Sequence, residues 1–139
     1  MTDKKIYFCG SIRGGRELAQ TYRVIIGILQ EYGKVLTEHL GSDEEIEQKD
    51  RVLSDREIHD RDMRWLLESD RLVAEVTIPS LGVGYEIGRA VETGKPVLCL
   101  FKSGAGKTLS AMIGGIEGVK VCYYSDPREL RETLKEWLK

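Results

Sequence analysis

The chain has 139 residues, 41% hydrophobic and 32% charged, with a formal net charge of −2. That length supports one compact domain with a real core, expected to span residues 1–139, and the balance of charge excludes the basic footprint of a nucleic-acid polymer partner. No apolar run approaches a membrane span and MTDKK leads straight towards a strand, while Cys9, Cys99 and Cys122 are odd in number and scattered among apolar runs; a reduced cytoplasmic protein is expected.

In chain order, residues 5–9 (KIYFC) read as a strand, followed by the glycine-rich turn GSIRGGR at 10–16. Leu18, Tyr22, Ile25, Ile26 and Leu29 then recur at helical spacing, and Gly33 is expected to stop the helix in a left-handed conformation. Residues 34–38 (KVLTE) form the second expected strand. The stretch from Gly41 to Asp55, highly charged and without a clear apolar pattern, reads as a mobile surface excursion. Ser54 and Glu57 have capping-box spacing ahead of Ile58, Trp65 and Leu66, which predicts a second helix.

Residues 70–76 (DRLVAEV) form the third strand and run into a Pro-Ser-Gly turn, after which helical periodicity begins around Glu86. Residues 96–101 and 118–123 give the fourth and fifth strands, with a short helix around Leu109 to Ile113 between them. Asp126, Pro127 and Glu129 supply the cap, first residue and third-position acid of a last helix. Strands alternating with helical segments predict an α/β, flavodoxin-like (Rossmann-like) three-layer fold with a five-stranded parallel sheet in the order 2-1-3-4-5. Its switch point lies between strands one and three, so the loops after Cys9 and Val76 should sit side by side.

Three features could carry chemistry there. The turn made by Gly10, Ser11, Ile12, Arg13, Gly14, Gly15 and Arg16 combines free amides at a helix start with a hydroxyl and two guanidinium groups, which suits a phosphate; its glycine spacing is not that of a dinucleotide fingerprint. Ser80 can donate to an anion, Gly82 and Gly84 allow backbone to approach a ligand, and Glu86 is expected near a helix N-terminus, where the helix dipole favours an ionised carboxylate able to attack a sugar carbon.

Asp62 falls four residues after Ile58 and three before Trp65, on the apolar face of its helix, so it is buried or lines a pocket. Two carboxylates flanking an anomeric carbon are the usual equipment for glycosidic cleavage. Tyr7, on the first strand, is either a partner for Glu86 or a packed core aromatic. His39 lies at the ligand-binding edge and His59 on a helix among charged neighbours; two separate histidines and scattered cysteines have no metal-ligand spacing, and no metal is expected. SGAGKT at 103–108 imitates the end of a P-loop, but Phe101 stands where its first glycine is needed.

The blocks YFCGSIRGGR (7–16), VLTEH (35–39), IHDRDMRWL (58–66), EVTIPSLGVGYEIGRAV (75–91) and LSAMI (109–113) closely resemble the 2'-deoxynucleoside 5'-monophosphate N-glycosidases of the nucleoside 2-deoxyribosyltransferase superfamily. The resemblance implies a cofactor-free and metal-free homodimer that hydrolyses the bond between base and deoxyribose. It implies Glu86 as nucleophile, Tyr7 holding its carboxylate, and Asp62 handling a proton or anchoring the sugar. The GSIRGGR turn and Ser80 would take the 5'-phosphate, His39 would sit near the base, and Ser110, Ala111 and Met112 would complete the neighbouring subunit's pocket. Gly41 to Asp55 and the segment after Val119 depart from the family blocks, which leaves base preference open; easier departure of a protonated base points to a purine nucleotide. The competing readings are a deoxyribosyltransferase acting on nucleosides and a non-catalytic nucleotide sensor.

Overall fold

The computed structural model describes residues 4–12 and 16–139. Five parallel strands, β1 (Lys5–Cys9), β2 (Lys34–Val35), β3 (Arg71–Glu75), β4 (Val97–Lys102) and β5 (Lys120–Tyr124), form one sheet in the order β2-β1-β3-β4-β5. The helices are α1 (Ala19–Leu29), α2 (Asp43–Asp50), α3 (Asp55–Glu68), α4 (Leu81–Glu92), α5 (Ala111–Gly114) and α6 (Pro127–Leu138), with a 3-10 turn at Glu38–Gly41. The expected strand order is the observed one.

Alternation along each strand divides the core into two layers. Ile6, Phe8, Val73, Leu98 and Leu100 pack with Tyr22, Ile25 and Leu29 of α1 and Leu130 and Leu134 of α6. Tyr7, Cys9, Leu72, Ala74, Val97 and Cys99 pack on the other face with Met63 and Leu66 of α3 and Val83, Ile87 and Ala90 of α4. Both faces are covered, which is why the inner strands are continuously apolar. The polar exception is Glu75 at the end of β3. It is fully buried and accepts from Thr77 N at 2.9 Å, Thr77 Oγ1 at 2.7 Å and Tyr124 Oη at 2.5 Å, while Thr77 Oγ1 accepts from Lys102 N at 2.7 Å. This buried side chain thus ties together the carboxyl ends of three strands.

The helix starts follow their sequence signals. Ser54 and Glu57 make a reciprocal capping box at α3, and Asp126 caps α6 with Pro127 in its first turn. Such caps each contribute about 1 kcal/mol.

Three expectations need correction. The second strand keeps only Lys34–Val35, because the Thr37 side chain takes over the pairing: its Oγ1 accepts from Phe8 N at 3.0 Å and donates to Phe8 O at 2.6 Å. Gly33 is not left-handed; a Cβ there would lie 2.6 Å from the Lys4 carbonyl oxygen, so glycine is required by close backbone approach. The left-handed stop belongs to α4 instead, at Gly94 with φ 76°. Finally, Gly41 to Asp55 is not an unstructured excursion: Ser42 caps α2, accepting from Glu45 N, and three acids in its first turn suit the helix dipole.

Candidate active site

At the carboxyl edge of the sheet, β1, the 3-10 turn, α2, α3 and the start of α4 enclose a cleft of about 950 Å³. Tyr7, Gly10, Ile12, His39, Asp62, Ser80, Gly82 and Glu86 all line it, so half of the sequence-predicted site residues are brought together. Their convergence follows from topology, since the β1 and β3 exits are neighbours at the switch point.

Glu86 is the sixth residue of α4 and projects into the cleft beside Tyr7, whose hydroxyl donates to Glu86 Oε2. Position six is beyond the helix's first turn, so the expected help from the dipole is missing. Burial pushes the Glu86 carboxyl up to about 8; the Tyr7 hydrogen bond opposes that rise and the nearby Asp62 charge adds to it. Burial thus favours the protonated form of Glu86, the opposite direction to the expected help from the helix dipole. Tyr7 is raised above its ordinary range, first by burial and then by Glu86 and Asp62, so it remains a neutral donor.

Asp62 lies on the cleft-facing side of α3, half-buried, and burial raises its carboxyl while the adjacent Arg61 opposes the shift. His39 is 2% exposed, with Nε2 3.2 Å from Asp50 Oδ1 and its ring 5.9 Å from that of Trp65. Burial lowers its pKa, and the Asp50 charge opposes this.

The glycine turn is built against Tyr22. A Cβ on Gly10 would come within 2.8 Å of the Tyr22 ring, and Ser11 N donates to the Tyr22 hydroxyl at 3.0 Å. Ser11 Oγ is buried with no hydrogen-bond partner among the described residues. Arg13, Gly14 and Gly15 lie outside the described residues. Arg16 is not among the residues that line the cleft: its guanidinium meets Asp43 Oδ1 at 2.7 Å and donates to Ser11 O at 3.3 Å and Leu40 O at 3.1 Å. It fastens the turn to the start of α2.

Ser80 caps α4, accepting from Val83 N at 3.3 Å, which leaves its hydroxyl hydrogen able to donate. Gly82 stands at the rim, where a Cβ would meet only Ser80 Oγ at 3.9 Å, so open space rather than backbone conformation describes this glycine. Ser110, Ala111 and Met112 are exposed and form no part of this cleft. Gly104 and Gly106 in the P-loop-like stretch are left-handed, with φ 76° and 71°, and the helix that follows has only four residues.

Sequence reading missed four residues at the cleft or touching it: Asp50, His59, Arg61 and Tyr85. His59 and Tyr85 bridge α3 and α4, with Nε2 2.8 Å from the Tyr85 hydroxyl, which also accepts from Arg89. Arg61 joins Asp50 to Asp62. The available signal was spacing, since His59 lies three residues before Asp62 on the same helical face. Among the described residues no group of three or more His, Cys, Asp or Glu side chains could hold a metal ion, and no helix is long and apolar enough to cross a membrane.

Residues 6–114, which include every element of this cleft, match the family described as nucleoside 2-deoxyribosyltransferase. The chain belongs to that family. It is 52% identical over 124 residues to a 5-hydroxymethyl-dUMP N-hydrolase of Danio rerio, covering 89% of this chain and 87% of the relative. It is also 52% identical over 132 residues to the Mus musculus protein of the same name, covering 93% and 76% of the two chains. The fold matches a Clostridium botulinum CMP N-glycosidase structure with TM-score 0.65, at 18% identity, over 96% of this chain and 99% of that one. A conserved Enterococcus faecalis protein gives TM-score 0.69 at 24% identity, over 98% and 99%. Family membership and the parallel five-stranded architecture thus agree.

Proposed function

We propose that this protein hydrolyses the N-glycosidic bond of 2'-deoxynucleoside 5'-monophosphates, releasing the free base and 2-deoxyribose 5-phosphate. The observation that carries the reading is the convergence of Glu86, held by the Tyr7 hydroxyl, and Asp62 on one cleft. The names of the two vertebrate relatives support the same substrate class.

In the reaction, a Glu86 oxygen forms a bond to C1' as the bond from C1' to the base nitrogen breaks, its electron pair leaving with the base. Asp62 gives the departing nitrogen its proton. Water then attacks C1', its proton passes to Asp62, and Glu86 leaves as a carboxylate. The productive form has Glu86 ionised and Asp62 protonated, so the two acids work as a dyad carrying one proton. Tyr7 stabilises the ionised form of Glu86.

The 5'-phosphate is placed against the turn from Gly10 to Gly15, the Ser80 hydroxyl and the first amides of α4, with Arg13 as its cation. His39, with the apolar Ile12, Leu40 and Ile46, surrounds the base. The relatives' names favour a 5-substituted deoxyuridylate as the first base to test, beside the purine nucleotides that the chemistry of protonated departure suggests. A cytoplasmic homodimer is part of this reading, and the exposure of Ser110, Ala111 and Met112, with Met112 81% exposed, suits a contact between subunits.

Incubation with 5-hydroxymethyl-dUMP, dGMP, the matching nucleosides, and nucleoside plus acceptor base, followed by chromatography of the base, tests the activity. Release from monophosphates alone is expected. Base exchange without phosphate would instead identify a transferase, and binding without turnover a sensor.

A further inference from the structure

Arg61 touches three side chains beside the cleft, Asp50, Asp62 and Trp65. Its Nε donates to Asp62 Oδ1 at 3.0 Å, and its Nη2 lies 2.9 Å from the same oxygen as an ion-pair contact without a hydrogen bond, so two nitrogens of one guanidinium face one carboxylate oxygen. Its Nη1 lies 2.8 Å from Asp50 Oδ1, on the last residue of α2, and its plane stacks on Trp65 with the guanidinium carbon 4.7 Å from the ring centroid. All three charged side chains are largely withdrawn from water, at 13% exposure for Arg61, 14% for Asp50 and 22% for Asp62. An aromatic face and a second carboxylate on the far side restrict the guanidinium, which favours one placement of Asp62.

We propose that Arg61 is a positioning residue for Asp62: it fixes Oδ1 between two guanidinium nitrogens, leaving Oδ2 to meet the substrate, and Asp50 on the covering helix α2 sets how strongly it grips. This rests on the proposed hydrolase reading for its use, though the geometry itself does not depend on turnover. Asp50 and Asp62 compete for one cation, so weakening one contact strengthens the other. Asp50 is itself shared with His39. The wall formed by α2 is therefore coupled electrostatically to the acid that faces the sugar.

The groups that bear on Asp62 are Arg61 and His59 from α3, Asp50 from α2, Glu86 from α4, and Tyr7 and Cys9 from β1. Among them Arg61 lowers the proton affinity of Asp62 and Asp50 raises it. Removing each should therefore move the dyad in opposite directions, which no general loosening of the fold would do.

The test is a carbon-13 carboxyl titration of Asp62 in the substrate-free protein, in wild type, Arg61→Gln, Arg61→Lys and Asp50→Asn. Arg61→Gln should move the Asp62 midpoint up by about one pH unit, the lower end of the usual effect of a close opposite charge. Asp50→Asn should move it down. Arg61→Lys keeps the charge and should hold the midpoint near wild type while kcat falls, because a point charge cannot fix one oxygen as the fork does. The acid limb of kcat/KM should follow the titration. Midpoints that move the same way in Arg61→Gln and Asp50→Asn, or do not move, would overturn the proposal. Failure of the hydrolase reading would look different: wild type would release no base, whatever the titration shows.

Discussion

Tyr7 on β1 and Glu86 on α4, seventy-nine positions apart in the chain, are joined by a hydrogen bond from the tyrosine hydroxyl to Oε2 at the wall of the cleft. The contact fixes one oxygen of the carboxylate that is proposed to attack C1'. It also stabilises the ionised form of an acid that burial otherwise keeps protonated. Replacing Glu86 by Gln should remove base release by about a thousandfold or more, as loss of a covalent nucleophile does, while the affinity for deoxyribose 5-phosphate is retained. Single-turnover assays and ligand titration check both halves.

Tyr7→Phe removes the interaction that lowers the Glu86 pKa, so less carboxylate is present at neutral pH. A charge-assisted hydrogen bond of this kind contributes about 1.5 kcal/mol or more, and kcat/KM at neutral pH should fall about tenfold. The deficit should shrink as pH rises, because alkali restores the ionised form. A pH-independent loss would mean that Tyr7 acts only by packing.

The same acid sets a pH dependence of stability. Glu86 has a folded pKa of about 8 against an ordinary 4.5, so the native state binds its proton more tightly than the unfolded chain. Its favourable contribution is complete below about 4.5 and is lost as pH rises through about 8. Glu86→Gln, neutral at every pH, should therefore be more stable than wild type above neutrality, by on the order of 1 to 2 kcal/mol after screening by water in the open cleft. The two melting curves should converge in acid. Thermal denaturation at both ends of that window measures it.

Gly10→Ala would place a methyl group within 2.8 Å of the fully buried Tyr22 ring, which cannot retreat. The turn must shift instead, and the expected outcome is a raised KM for monophosphates with a smaller change in kcat. Tyr22→Phe removes the acceptor for Ser11 N and should weaken binding in the same sense, with loss of about 1 to 3 kcal/mol of stability from an orphaned buried amide.

Thr37→Val leaves both Phe8 N and Phe8 O without their partner at the centre of the sheet edge. A loss of about 2 kcal/mol or more in urea denaturation is expected, since two buried backbone groups become unsatisfied at once.

The sheet order was legible because apolar runs alternate with capped helical segments, and the Ser54–Glu57 and Asp126–Pro127 signals are local. Glu86, Tyr7 and Asp62 could be placed at one edge because strand and helix phase fix which face a side chain takes. What sequence did not reveal depends on contacts between distant segments. Thr37 replaces a strand ladder with its side chain, Arg16 pairs with Asp43, and Gly33 is required by the carbonyl of Lys4. α2 escaped notice because it buries no residue, so no apolar stripe marked it. The upward shift of Glu86 is hidden from the sequence for a related reason: burial is a property of the assembled cleft, and Glu86 lies beyond the first turn of α4.

α2 also gives the protein an unusual freedom. Ile46 rests against the core, Asp50 answers to Arg61 and Asp43 to Arg16, but Glu44, Glu47, Gln48 and Lys49 face water and contribute little to holding the domain together. Exchanges there change stability by about half a kcal/mol or less. One wall of the cleft can thus be rewritten through successive generations while Tyr7 and Glu86, anchored in the sheet and in α4, stay where they are, so new bases can come within reach without rebuilding the apparatus that cuts the bond.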